Sequence, residues 1–263
     1  MKYYRKPYRI TRKKSIFKGR FFWFGVLGLG ILCLLFYFMI FASFFQVKEI
    51  QISRNQKVQT ENIEGLVWKN IEKKIIFFKT KSIFLVSPKK IKEHLLEKFS
   101  KISDVEGKRK FPSTVMITIT ERQPLFIFCK NMCFYFDEKG IVFEDTEYDG
   151  SLPKLIDDGI QDIWLGKRII EGELLEKLLE IEFGLKENKE ISIKEIVILH
   201  DKIEVKTPEG FSIYFNKKEG IESQIQNLTL ILLKEIPLQN REDLEYIDLR
   251  FGTKVYYKYI LEE

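Results

Sequence analysis

The chain has 263 residues, enough for one or two domains beside an anchor, and 45% of them are hydrophobic. Its formal charge of +6 sits in one place: residues 1–20 hold nine Lys/Arg (Lys2, Arg5, Lys6, Arg9, Arg12, Lys13, Lys14, Lys18, Arg20) and no acid, while the rest holds 35 basic and 38 acidic residues, a balance of −3. That distribution excludes a nucleic-acid-binding domain, whose basic patch would lie on the folded part.

Residues 21–45 carry no charge, and Ser43 is their one plainly polar side chain. As a helix the run would be about 37 Å long, more than the roughly 30 Å hydrocarbon core of a bilayer. It lacks the polar stripe of a core helix and the short apolar region and cleavage site of a signal peptide. It therefore predicts one transmembrane helix, and the nine preceding cations place the N-terminus in the cytoplasm and the bulk outside. The basic tail 1–20 is most simply an orientation signal lying on anionic lipid; the sharper reading makes it a docking site for a cytoplasmic partner.

Beyond the span, Val47, Ile50 and Ile52 open an extended segment. Thr60 caps a helix with Ile63, Leu66, Val67 and Ile71 on one face. Residues 71–86 read as loop pieces packed on a sheet. Ser87-Pro88 starts a second helix carrying Ile91, Leu95, Leu96 and Phe99. An extended stretch begins at Val105, Phe111-Pro112-Ser113 turns the chain, and Val115, Ile117 and Ile119 alternate as a half-buried strand.

After Pro124 strands dominate. Residues 125–128 and 134–136 form a hairpin that brings Cys129 and Cys133 near each other. Its two readings are a disulfide, if the outer compartment is oxidising, and a pair of reduced thiols. Asp137-Glu138-Lys139-Gly140 turns into Ile141-Val142-Phe143, and residues 144–164 read as irregular. A helix carries Leu174, Leu175, Leu178, Leu179, Ile181 and Leu185, and another carries Ile221, Ile225, Leu228, Ile231 and Leu232. Strands follow at 193–199, 202–207 and 211–215, and the last two, 244–250 and 254–260, join through Gly252.

No catalytic constellation emerges. The S-x-x-K pattern of cell-wall transpeptidases occurs at Ser15–Lys18, Ser87–Lys90 and Ser151–Lys154, without the K-T-G or S-D-N that should accompany it. Zinc wants about four ligands, and with only His94 and His200 elsewhere in the chain to join the two thiols, a metal site is not the expectation. The expectation is no enzyme, no metal and no cofactor.

The landmarks resemble those of the FtsQ/DivIB cell-division family. Phe45-Gln46-Val47-Lys48-Glu49-Ile50-Gln51-Ile52 resembles the opening of that family's POTRA domain. Phe111-Pro112-Ser113-Thr114 and Glu121-Arg122-Gln123-Pro124 resemble its "FP-x-T … E-R-x-P" boundary. Residues 136–143 resemble its "D-x-x-G-x-V-F" turn, and Tyr246-Ile247-Asp248-Leu249-Arg250-Phe251 its "Y-I-D-L-R-F". Two departures are the long apolar segment 71–86 and the absence of a long tail after Leu261-Glu262-Glu263.

The resemblance implies an α+β chain: tail 1–20, span 21–45, a β-α-α-β-β POTRA domain at 46–122, and a strand-rich domain with two helices at 123–260. It implies a non-enzymatic divisome scaffold that joins FtsB/DivIC-like and FtsL-like bitopic proteins and helps regulate septal peptidoglycan synthesis. It places partner contacts on the last strand and its neighbouring helix, here Arg250, Phe251, Thr253, Val255, Tyr256 and Tyr257. An exposed edge strand suits that role, because a partner can add a strand to it. Asp248 and Arg250 share a face and read as a structural ion pair. The alternative is a POTRA-bearing component of secretion or outer-membrane assembly.

Overall fold

A computed structural model describes residues 20–75, 77–187 and 191–260. Residues 1–19 of the basic tail, including Ser15 and Lys18, and the terminal Leu261-Glu262-Glu263 lie outside the described residues.

The first helix, α1, runs over Arg20–Phe41. It is the one helix among the described residues that is long and apolar enough to cross a membrane, and none of its span is buried by the rest of the chain. It stops four residues before the uncharged run does, which corrects the expected helix to Phe45. Ala42 is extended, and Ser43–Phe45 form a single 3-10 turn. The cause is tertiary. A helix ends with carbonyls that lack intrahelical donors, and polar side chains supply the missing partners. The Gln46 amide and the Thr80 hydroxyl donate to the Ile40 carbonyl at 2.8 and 2.7 Å, and the Ser82 hydroxyl donates to the Met39 carbonyl at 3.0 Å.

Two compact units follow from the chain's own contacts, and they do not divide it at one point. The first comprises the described residues up to Ser53 with Thr60–Ile91 and Glu106–Thr118; the second comprises Arg54–Gln59, Lys92–Val105 and the described residues from Ile119 on.

After α1 come β1 (Glu49–Ser53), α2 (Thr60–Ile71), β2 (Lys73–Ile75), β3 (Phe78–Thr80), α3 (Pro88–Lys98), β4 (Ile102–Lys110) and β5 (Thr114–Glu121). The sheet order is β1-β5-β4, with β1 parallel to β5. That is the expected β-α-α-β-β plan with one addition. Ile63, Val67 and Ile71 bury one face of α2, as their helical spacing requires. The Ser87 hydroxyl accepts from the Lys90 N–H at 3.4 Å and caps α3. The segment expected as loop pieces contains instead a two-stranded sheet, in which Lys73 pairs with Thr80 and Ile75 with Phe78. Strands of three residues carry too little alternation to be read from their pattern. Strand β4 likewise begins at Ile102, three residues ahead of the expected Val105.

The second unit is built on a nine-stranded sheet. Its strands are β6 (Phe126–Cys129), β7 (Cys133–Phe136), β8 (Val142–Thr146), β9 (Lys154–Ile156), β10 (Glu195–Ile198), β11 (Lys202–Lys206), β12 (Ser212–Asn216), β13 (Leu244–Phe251) and β14 (Lys254–Tyr259). They lie in the order β14-β13-β12-β11-β10-β9-β6-β7-β8. Helices α4 (Gly172–Glu187) and α5 (Ile221–Lys234) pack on each other, and their Leu178, Ile181, Leu185, Ile221, Leu228 and Leu232 close the core over the sheet. Strand β9 corrects the expectation that 144–164 is irregular: it runs parallel to both β6 and β10 and joins the two halves of the sheet through the buried Leu155. Cys129 and Cys133 face each other across β6 and β7 and are joined as a disulfide, which resolves the choice left open by spacing.

Candidate functional site

Among the described residues no group of three or more His, Cys, Asp and Glu is placed to hold a metal ion. His94 and His200 are exposed and distant in sequence from the cysteine pair. Ser87 is spent as a helix cap, and Ser151 sits in an exposed loop after Asp149, whose carboxylate accepts the Ser151 N–H at 2.9 Å.

The landmark motifs prove architectural. At the end of β5, the Glu121 carboxylate accepts three successive backbone N–H groups, from Gln56, Lys57 and Val58, at 2.9 to 3.0 Å. Burial alone would raise its pKa, but the N–H groups of Val58, Lys57 and Gln56 outweigh burial and hold it below the ordinary carboxylate value. A lowered native pKa contributes stability that is complete above the unfolded value of 4.5 and is lost as the pH falls through the native value. The stability gap between wild type and Glu121→Gln is therefore expected to be widest above pH 4.5 and to close below it. Denaturant titrations at a series of pH values measure that gap; a gap independent of pH contradicts the assignment. Arg122, next in the chain, donates to the Asp137 carboxylate at 2.5 Å and to the Ser100 carbonyl at 2.9 Å. The motif that resembles a domain boundary is thus a pair of anchors for neighbouring backbone.

The far end of the nine-stranded sheet looks different. Strand β14 is the terminal strand, so its outer edge pairs with no other strand among the described residues. Its inner edge pairs antiparallel with β13, Ile247 opposite Tyr257 and Asp248 opposite Tyr256. The turn between them places Gly252 at φ +67°, a conformation that favours glycine. It is held from α5 by the Asn227 amide, which donates to the Gly252 carbonyl at 3.0 Å.

Arg250 is fixed by a fork. Its Nε and Nη2 donate to the two Asp248 oxygens at 2.9 and 2.8 Å, and Nη1 reaches Asp201 at 3.3 Å. The hydrogen bond with Asp248 holds the Arg250 pKa above its usual range. The guanidinium also lies 5.7 Å from the ring centres of Tyr214 and Phe251, within cation–π reach. The expected ion pair is present, and it orients the residues around it.

The six residues singled out from the sequence divide by face. Phe251 and Tyr256 are 54% and 50% exposed and meet edge to face at 5.2 Å. Tyr257 and Thr253 are also exposed. Val255 packs against the hydrophobic core, as does Tyr259. Arg250 is half-buried in its fork. The sheet adds residues that local pattern could not supply: Tyr214 and Tyr246, stacked at 5.6 Å on the Arg250 face, and the Lys258–Glu245 pair at 2.6 Å. Helix α5, beside β13 and β14, exposes Leu230 and Leu233. Five exposed apolar or aromatic side chains in this region, with an open strand edge, can do one thing chemically: bury apolar surface against another chain while extending the backbone ladder.

Two family models match this sequence. The model for the POTRA domain, FtsQ-type, matches residues 45–122, and the model for the cell division protein FtsQ/DivIB, C-terminal, matches residues 130–250. No individual curated protein matches the chain significantly. The second match ends at Arg250, so Thr253, Val255, Tyr256 and Tyr257 lie just past it.

Proposed function

Because the chain belongs to the FtsQ/DivIB family of cell-division proteins, we propose that it is a non-enzymatic, single-pass divisome scaffold that recruits FtsB/DivIC-like and FtsL-like partners and helps regulate septal peptidoglycan synthesis. In this reading its N-terminus is cytoplasmic, α1 crosses the membrane, and the POTRA domain (46–122) and the strand-rich domain (123–260) work outside. The nine cations of residues 1–20 support that orientation. The Cys129–Cys133 disulfide supports an oxidising outer compartment. The match of residues 130–250 to a cell-division domain supports this role over one in secretion or outer-membrane assembly.

The observation that carries the proposal is the open edge of β14 beside exposed Phe251, Tyr256 and Tyr257. A partner strand would pair along β14, and the aromatic rings would cover it. Aromatic side chains at the centre of an interface commonly contribute 2 kcal/mol or more each, about 30-fold in affinity. Replacing Phe251 and Tyr256 together with Asp is expected to abolish co-purification with the FtsB/DivIC-like partner. Both side chains are half exposed, so the fold should persist, with circular dichroism and melting temperature close to wild type. Retention of the partner at wild-type affinity overturns the site.

A further inference from the structure

The segment between α2 and α3, the part that departs from the family pattern, bears directly on the end of the membrane helix. Strands β2 and β3 form a hairpin whose Thr80 and the following Ser82 cap the carbonyls of Ile40 and Met39. The hairpin is therefore fastened to the last turn of α1 by polar contacts that also terminate it.

A chain of aromatic rings spreads from the same point. Phe41 meets Phe78 at 5.9 Å, Phe38 meets Phe45 at 6.1 Å, Phe45 meets Phe84 at 5.1 Å, and Phe84 meets Phe111 at 5.4 Å. These rings do not form a closed core. Phe77 is 83% exposed, and Phe44, Phe78 and Phe111 are also exposed. Exposed aromatic clusters of this kind are unusual on a surface that faces water only.

The length of the span places them. Residues 22–41 form a helix of about 30 Å, the thickness of the hydrocarbon core. Phe41 thus marks the membrane boundary, and the rings that touch its turn lie at headgroup depth, where aromatic side chains concentrate. Lysines flank the rings. Lys74 is exposed on β2, Lys79 pairs with Glu72 at 2.7 Å, and Lys81 lies over the Trp68 ring at 4.8 Å. The apolar stem of Lys74 can follow the rings inward while its ammonium group stays among phosphates.

We propose that the β2–β3 hairpin is a second membrane contact, with Phe77 and Phe78 inserted into the interfacial layer of the lipid bilayer beside α1. The occupant of this apolar surface is phospholipid, because the surface is continuous with a helix that lipid must already surround. The proposal rests on α1 crossing the membrane. Its effect is to hold the start of the POTRA domain against the bilayer at two points.

The test uses the full chain in vesicles of phosphatidylcholine and phosphatidylglycerol, some brominated near the headgroup end of the acyl chains. Tryptophan fluorescence is read in two variants. One keeps Trp23 alone, with Trp68→Phe and Trp164→Phe. The other carries Trp23→Phe, Trp68→Phe, Trp164→Phe and Phe77→Trp, a substitution at an exposed site that the fold tolerates. Loss of about half or more of the fluorescence in both variants is the expected result. Quenching of Trp23 with none at the introduced tryptophan overturns the hairpin contact and leaves the span intact. Quenching of neither overturns the span and the inference with it.

Discussion

Replacing Arg122 with methionine is expected to lower the stability of the strand-rich unit by about 3–5 kcal/mol, the range for removing one partner of a buried ion pair. Arg122 and Asp137 retain only 10% and 5% side-chain exposure. The size of the effect comes from what remains behind. Asp137 would be left in a nearly dry site without its cationic partner, with only the Lys139 and Ile141 N–H groups, at 3.0 Å each, as donors to it. The Ser100 carbonyl would lose its donor as well. A melting-temperature drop of about 10 °C follows for a unit of this size. Asp137→Asn should also destabilise, but its amide oxygen can still accept the two turn N–H groups. The Arg122→Met/Asp137→Asn double variant should therefore be more stable than the sum of the single losses predicts, because neither charge is stranded. Thermal unfolding of the four proteins measures the coupling. Additive losses, or a single-variant loss below about 1 kcal/mol, would show that the pair is hydrated and marginal.

Gly140→Ala is expected to cost about 3 kcal/mol or more, from two causes that add. Gly140 sits at φ +70°, where a residue with a Cβ costs about 1–2 kcal/mol. A Cβ built there would also lie 2.1 Å from the carbonyl oxygen of Ile170, far inside contact distance and against backbone that cannot rotate away. Overpacking of this kind commonly costs about 1–3 kcal/mol. The neighbouring backbone is tied down on both sides: the Gly140 N–H donates to the Asp137 carbonyl at 2.9 Å, and the Ile169 N–H donates to the Gly140 carbonyl at 2.9 Å. Relief of the clash must disturb the Asp137 turn or the strand that follows it. Gly172→Ala is the comparison, since Gly172 has φ +62°, close to that of Gly140, but open space around its Cβ position. Denaturant unfolding should show the larger loss at Gly140. Equal losses would assign the whole effect to backbone conformation.

Both predictions fall on residues that stood out first as motif letters. Asp137 and Gly140 were legible as a turn because turn chemistry is local. Their partners were not. Nothing near Gly140 in the chain points to Ile170, and Arg122 finds Asp137 only when β5 and the β7–β8 turn are brought together. The candidate interface divides in the same way. Its aromatic composition and the Asp248–Arg250 pair could be read from the chain. Which rings stay exposed could not: Val255 turns to the core while Tyr256, its neighbour, turns away, and that depends on the register of β14 against β13.

Sequence alone determined the apolar span and the order of the longer helices and strands, because each rests on composition, period or spacing within a short stretch, and the resemblance of several motifs, taken in order along the chain, pointed to the family. Tertiary structure decided where α1 ends, that residues 73–80 form a hairpin, that β9 enters the sheet, and that β14 is an open edge among the described residues. Those features depend on hydrogen bonds and pairings between residues distant in the chain, or on strands of about three residues, and in neither case does a local repeat carry the information.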